Sequence, residues 1–233
     1  MILADNQPYF IPYIGYWQLM NAADIYVVAD NVQYIKHGWV NRNRILTNKT
    51  SEMMLNLELV KAPFTSKINE RYIADEFNAG KKLNIIKGSY CKAPFFQEGM
   101  RLMTDIMTCP ERNLAEFLIH SICCIRDYLG ITTPMYRESE LDLNPEYRCE
   151  ESVYEVCQKL GADTYYNAIG GQILYDKEQF AEKGIKLGFL RTGDVHYRQF
   201  SRDFIPNLSI LDVIMFNPKE EIQRMLHEYT IIL

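Results

Sequence analysis

The chain has 233 residues, 48% hydrophobic and 24% charged, and a formal net charge of −5. This composition excludes a disordered chain, and the length suits one large domain with a sizeable core. The acidic balance leaves no global footprint for a nucleic-acid backbone, and no run approaches the ~18 uninterrupted apolar residues of a membrane span, so neither a nucleic-acid partner nor a membrane span is expected.

The opening reads as a βαβ unit. Ile2-Leu3-Ala4 is a short apolar strand, residues 5–12 a loop, and residues 13–23 carry apolar side chains at helical spacing. Residues 24–30, Asp-Ile-Tyr-Val-Val-Ala-Asp, have the continuous β-branched and aromatic character of a strand buried on both faces. Two strands joined by one short helix imply a parallel pair with a right-handed crossover. Strands are expected at 44–47 and 53–60, the second half exposed because Met54, Asn56 and Glu58 alternate with Leu55, Leu57 and Leu59. A further strand is expected at 68–73.

The pattern then turns helical at 80–90, 95–108 and 113–129, where Gly130 can close the last helix in the left-handed conformation. A second α/β stretch follows Met135-Tyr136. It has a helix at 150–160 closed by Gly161, a strand at 163–167, a helix at 175–182 and a strand at 186–190. Residues 211–216 and 220–231 read as helices, with Asp212 as a cap. The expected fold class is α/β: a single parallel or mixed sheet flanked by helices. It forms one domain over 1–233, with a helical segment at about 79–130 as lid or subdomain.

The N-terminus lacks the charged start and apolar run of a signal peptide, which points to the cytoplasm. Six cysteines, at 91, 109, 123, 124, 149 and 157, form no CxxC pair and read as free thiols buried in helices. Nothing local supports Cys91 as a nucleophile. With the histidines at 37, 120, 196 and 227 equally scattered, neither a metal nor a cofactor is expected. The sequence sets no oligomeric state.

Two clusters carry candidate chemistry. The first, QPYFIPYIGY at 7–16, leaves the first strand and opens the first helix, where open α/β sheets bind ligands. Gln7, Tyr9 and Tyr16 are its candidate substrate contacts, and packing of the loop onto the sheet is the competing role. The second, at 30–44, puts Asp30 forward as general base and His37 as a further catalytic group. Gln33, Tyr34, Trp39, Asn41 and Asn43 would orient the substrate, and Lys36, Arg42 and Arg44 would bind phosphate or carboxylate. A solvated loop with ordinary ion pairs is the alternative.

These segments, QPYFIPYIGY and DNVQYIKHGWVNRNRI, resemble the opening of WbqC-like proteins. The resemblance continues through Tyr90-Cys91-Lys92-Ala93-Pro94-Phe95-Phe96, Asn113, Leu129-Gly130-Ile131, residues 165–171 and residues 208–217. It implies a setting in O-antigen and related bacterial glycan loci, beside enzymes of nucleotide-linked amino sugars. One departure is Ile169, where the family pattern has a small residue before the glycine pair.

Asn167, Gly170 and Gly171 end a predicted strand before a helix, and a Gly-Gly turn can form an anion-binding nest or simply a tight turn. His196 is the best-placed imidazole for proton transfer, against the commoner structural role of a lone loop histidine. The leading expectation is an acyl- or aminoacyltransferase acting on a nucleotide- or lipid-linked amino sugar, a small-molecule substrate. A nucleotidyltransferase is the second reading, weakened because Pro12 and Tyr16 stand where that superfamily places histidines. A non-catalytic accessory binding protein is the third.

Overall fold

The computed structural model describes residues 1–47 and 51–233. In chain order the elements begin with strand β1 (Ile2–Asn6), helix α1 (Ile14–Ala22) and strand β2 (Ile25–Val28). A hairpin of β3 (Arg42–Thr47) and β4 (Ser51–Asn56) follows, then helices α2 (Ala79–Tyr90), α3 (Phe96–Met107) and α4 (Leu114–Leu129). The remainder is β5 (Met135–Arg137), α5 (Glu150–Leu160), β6 (Thr164–Ala168), α6 (Lys177–Glu182), β7 (Lys186–Thr192), α7 (Ile210–Phe216), α8 (Lys219–Met225) and β8 (Tyr229–Ile232).

Six strands make one mixed sheet in the order β5-β2-β1-β6-β7-β8, and the fold is α/β. All neighbours run parallel except β7 and β8. Side-chain alternation then divides the core between the two faces. Leu3, Ile25, Val27, Tyr165, Leu187 and Phe189 point to one face, where Val153, Val156 and Cys157 of α5 and Phe180 of α6 cover them. Ala4, Tyr26 and Val28 point to the other, under Trp17 of α1 and the larger cluster built from α2, α3, α4, α7 and α8. Helix α1 has every residue from Ile14 to Met20 buried, so its apolar character runs all round, as burial on every side requires. Its single amide in that run, Gln18, donates to the carbonyls of Met225 at 2.7 Å and Glu228 at 3.1 Å. Gly130 and Gly161 close α4 and α5 at φ 73° and 71°, as their positions after apolar runs predict.

Two expected elements differ. The helix expected at 220–231 stops at Met225, and Tyr229–Ile232 forms edge strand β8, pairing Phe189 with Ile232 through Thr192 with Tyr229. The Thr-Ile-Ile run is β-branched and finds an open edge on β7, so tertiary pairing overrides the helical spacing. The strand expected at 68–73 is a 3₁₀ turn at Ile68–Glu70 followed by the isolated bridges Leu59–Ile73 and Tyr72–Asn113. Asp212 is not a surface cap. It is fully buried and accepts from the hydroxyls of Tyr90 at 2.9 Å and Tyr197 at 2.7 Å and from the Gln199 amide at 2.8 Å. Burial pushes its carboxyl up to about 6 although those donors pull it down. Among the described residues no helix is long and apolar enough to cross a membrane.

Candidate active site

From β1 the sheet grows outward through β2 and β5 on one side and through β6 and β7 on the other. The order therefore reverses between β1 and β6, and the loops leaving their carboxyl ends diverge to opposite faces. That divergence opens a crevice where open α/β sheets place ligands. Here it is a cavity of about 500 Å³. Asp5, Asn6 and Gln7 enter it from the end of β1, Tyr9 and Tyr13 from the following loop, and Trp39 from the segment after β2. Glu138 reaches it from beyond β5, Ser152 from α5, Asn167 from the carboxyl end of β6 and Tyr175 from beyond it.

Two carboxyl groups set its electrostatics. Asp5 is partly buried, and its Oδ1 accepts the Tyr165 hydroxyl at 2.5 Å. Desolvation pushes its carboxyl up to about 6, only partly offset by that hydrogen bond. Tyr165 is itself held by the Asn167 amide, which donates to its oxygen at 2.7 Å, and its hydroxyl lies 3.4 Å from that of Tyr175. Glu138 is pushed up to about 7, first by burial and then by the charges of Asp5 and Asp30. Its Oε1 accepts weakly from the Ser152 hydroxyl at 3.4 Å, while its Oε2 is buried with no protein partner. Among the described residues no Lys, Arg or His lines this cavity. Such a lining favours groups that donate hydrogen bonds or carry positive charge, and disfavours phosphate.

The cavity wall needs close backbone approach at two glycines. A Cβ on Gly15 would come within 2.4 Å of Thr192 Oγ1 and 2.5 Å of the Tyr13 ring. One on Gly171 would come within 2.6 Å of Asn167 Oδ1. The Ile169–Gly171 segment is a 3₁₀ turn without a left-handed residue, so the glycine pair does not form an anion-binding nest.

The model of the WbqC-like protein family matches residues 7–224. The chain belongs to the WbqC-like protein family. An uncharacterized protein, Rv1507c, of Mycobacterium tuberculosis (strain ATCC 25618 / H37Rv) is 29% identical over 220 residues, covering 92% of this chain and 93% of the relative. No solved structure matches. The WbqC-like match takes in the whole cavity except Asp5 and Asn6.

The two opening segments of this WbqC-like chain meet only in part: Phe10 N–H donates to the carbonyls of Trp39 and Val40, while much of the second segment turns away. Gln7, Tyr9 and Tyr16 meet Trp39, Asn167, Gly170 and Gly171 at the cavity. Tyr16 is buried, with ring centroids 5.4 Å from Trp17 and 5.6 Å from Tyr26, so it mainly packs the wall. Gln33, Tyr34, Lys36 and Asn41 line a different cavity, where Arg71 stacks 4.6 Å from the Tyr34 ring. Arg42 turns back onto its own loop, donating to the carbonyls of Gly38 at 3.1 Å and of His37, and His37 is exposed at φ 68°. Asn43 is buried and donates to the carbonyls of Phe10 at 3.0 Å and Ile11 at 3.1 Å, which holds Ile11 at φ 39°.

Asp30 lies behind the cavity. It is fully buried and accepts from the Ser139 amide at 3.0 Å, the Ser139 hydroxyl at 2.7 Å and Arg137 at 3.2 and 3.3 Å. With the carboxylate sealed from solvent and held by Ser139 and Arg137, its geometry is that of an anchor tying the ends of β2 and β5 together. His196 is exposed, 2.8 Å from Asp194 and with its ring tilted at 41° against Phe204, centroids 4.6 Å apart, outside the cavity. Of the cysteines only Cys157 is buried; Cys91 and Cys149 are exposed, and Cys149 lines the cavity at φ 48°.

Sequence reasoning passed over Asp5, Glu138, Ser152 and Tyr175. Asp5 had a legible signal, a carboxylate closing an apolar strand at the binding edge of a βαβ unit. Glu138 had none, because its place depends on β5 adding beside β2 across more than a hundred residues.

Proposed function

We propose that this protein is a cytoplasmic enzyme of bacterial surface-polysaccharide synthesis that transfers an acyl or aminoacyl group to the amine of an amino sugar. The polysaccharide setting rests on the family's association with glycan loci. One observation carries the chemistry: the cavity at the sheet's switch point is lined by two carboxyl groups, Asp5 and Glu138, and by no cation among the described residues. A sugar amine arrives protonated and must lose a proton before it attacks. Glu138, held near 7, is matched to accept that proton at neutral pH. The nitrogen then bonds to the acyl carbon, the bond from that carbon to its leaving group breaks, Glu138 passes its proton to the leaving group, and the nitrogen's second proton leaves to solvent, so that a neutral amide results. Asp5 faces the positive charge of the bound amine, and the Tyr175 hydroxyl is the donor available to the developing oxyanion. Tyr9, Tyr13 and Trp39 offer flat faces for a sugar ring, with Gln7 and Asn6 for its hydroxyls.

The test is turnover. Incubation with a glucosamine-containing nucleotide sugar and acyl thioesters or an aminoacyl donor, read by mass spectrometry, should show the mass of the N-acylated sugar. Glu138→Gln should lower that rate by about 10²–10⁴. Product formed equally fast by the variant would overturn the assignment of Glu138.

A further inference from the structure

A second cavity, of about 420 Å³, opens on the far side of Tyr9, Tyr13 and Trp39, which line both spaces. Its charged lining has the opposite sign: Arg44 and Arg191 and, among the described residues, no carboxylate. The two arginines differ. Arg44 is fixed, donating to Glu52 at 3.0 Å and to the Asn207 carbonyl at 3.0 Å, with its guanidinium 5.8 Å from the Trp39 ring. Arg191, near the carboxyl end of β7, is exposed and makes no ion pair or side-chain hydrogen bond among the described residues. Thr192 and Asn207 supply the uncharged donors of the wall, while the Asn43 amide beside them is committed to the carbonyls of Phe10 and Ile11. A fixed guanidinium, a free one, an exposed indole and uncharged donors form the combination that grips a phosphate ester.

We infer that this groove holds the phosphate or diphosphate of the carrier to which the amino sugar is attached, with Arg191 as its main charge partner and Arg44 as a fixed second one. The uncharged sugar ring then lies along the shared aromatic wall, leaving its amine in the acidic cavity and the anionic end in the basic groove. The same division orients the substrate, since a diphosphate is repelled from Asp5 and Glu138. The inference rests on the amino-sugar reading only for what occupies the neighbouring cavity; the anion site itself can be tested alone.

Calorimetric titration at low ionic strength with pyrophosphate, uridine diphosphate and geranyl diphosphate tests it, alongside Trp39 emission. Trp39 is 42% exposed, whereas the other indole, Trp17, is fully buried, so a change in emission reports the groove. At least one of the three should bind the wild-type protein and alter that emission. Arg191→Gln should weaken it about tenfold, the loss of one charge-assisted contact, and Arg191→Lys should recover part of the loss. Tighter binding of uridine diphosphate than of geranyl diphosphate identifies a nucleotide carrier, and the reverse identifies a lipid one; either supports the site. Failure of all three to bind, or binding indifferent to Arg191, overturns it. Free glucosamine, titrated in parallel, should bind wild type and Arg191→Gln equally. If glucosamine fails while the Arg191-dependent anion binding stands, the amino-sugar reading falls and the groove survives.

Discussion

Replacing Glu138 with glutamine removes one of the two carboxyl charges in the cavity while keeping the side chain's shape. In the folded protein this carboxyl is displaced from its ordinary 4.5 to about 7, by burial first and by Asp5 and Asp30 next. A folded-state value above the unfolded one means that the favourable contribution is fully present below about pH 4.5 and is lost as pH rises through 7. At about 1.4 kcal/mol per pH unit the displacement corresponds to about 3 kcal/mol. Glu138 is only partly buried, so solvent screening lowers the expected effect to about 1–2 kcal/mol. The assay is urea unfolding of wild type and Glu138→Gln at half-unit steps from pH 4 to pH 8. The unfolding free energy of the wild type relative to the variant should fall by that amount across the series, most of it between pH 5 and 7.5. The constant cost of placing an amide where Oε2 has no partner cancels in that difference. A gap between the two proteins that stays level over the whole range would refute the placement of a raised carboxyl here.

The other predictions concern the scaffold around the site. Arg137→Ala leaves the buried Asp30 charge without its guanidinium and should cost about 3 kcal/mol in urea unfolding, whereas Lys36→Ala, on an exposed loop, should stay within about 0.5 kcal/mol. Equal effects would show that Asp30 does not depend on that pair. Gly15→Ala forces a methyl against Tyr13 and Thr192 and should lower stability by about 1–3 kcal/mol while weakening ligand binding at the cavity. A variant as stable as wild type in thermal unfolding would place more room there than the structure does. Alkylation by iodoacetamide, followed by peptide mapping, should modify both exposed thiols, and an amino sugar should slow the reaction at Cys149 but not at Cys91. Equal protection at both would put the ligand elsewhere.

Much of the fold was legible because it follows local pattern. The β-branched run at 25–28 reads as a buried strand from its composition alone, and β1 packs beside it in the parallel register expected of a βαβ unit. The helices α2 to α5 announce themselves by apolar spacing, and α4 and α5 also by the glycines that stop them, Gly130 and Gly161. What could not be read was set by distant partners. Residues 229–232 become a strand only because β7 presents an unpaired edge. The site divides in the same way. Gln7, Tyr9 and Trp39 were found because they lie on loops leaving the first two strands. Asp30 drew attention as a carboxylate at a strand end, yet Arg137 and Ser139, from the distant end of β5, enclose it completely. The charged side chains of the second loop, Lys36 and Arg42, carry the right chemistry but turn to another cavity or back onto their own backbone. Arg191 and Glu138, which supply the charge each compartment shows, lie in segments where nothing in the local pattern marks a site.

The most direct measurement compares glucosamine with glucose, two ligands that differ by a single amine, in titration calorimetry of the wild-type protein at pH 7. A cavity whose charged lining is two carboxyl groups predicts at least tenfold tighter binding of glucosamine, with the preference lost in Asp5→Asn and Glu138→Gln. Equal affinity for the two sugars, or a preference that survives both substitutions, would contradict the reading of Asp5 and Glu138 as the centre of the site.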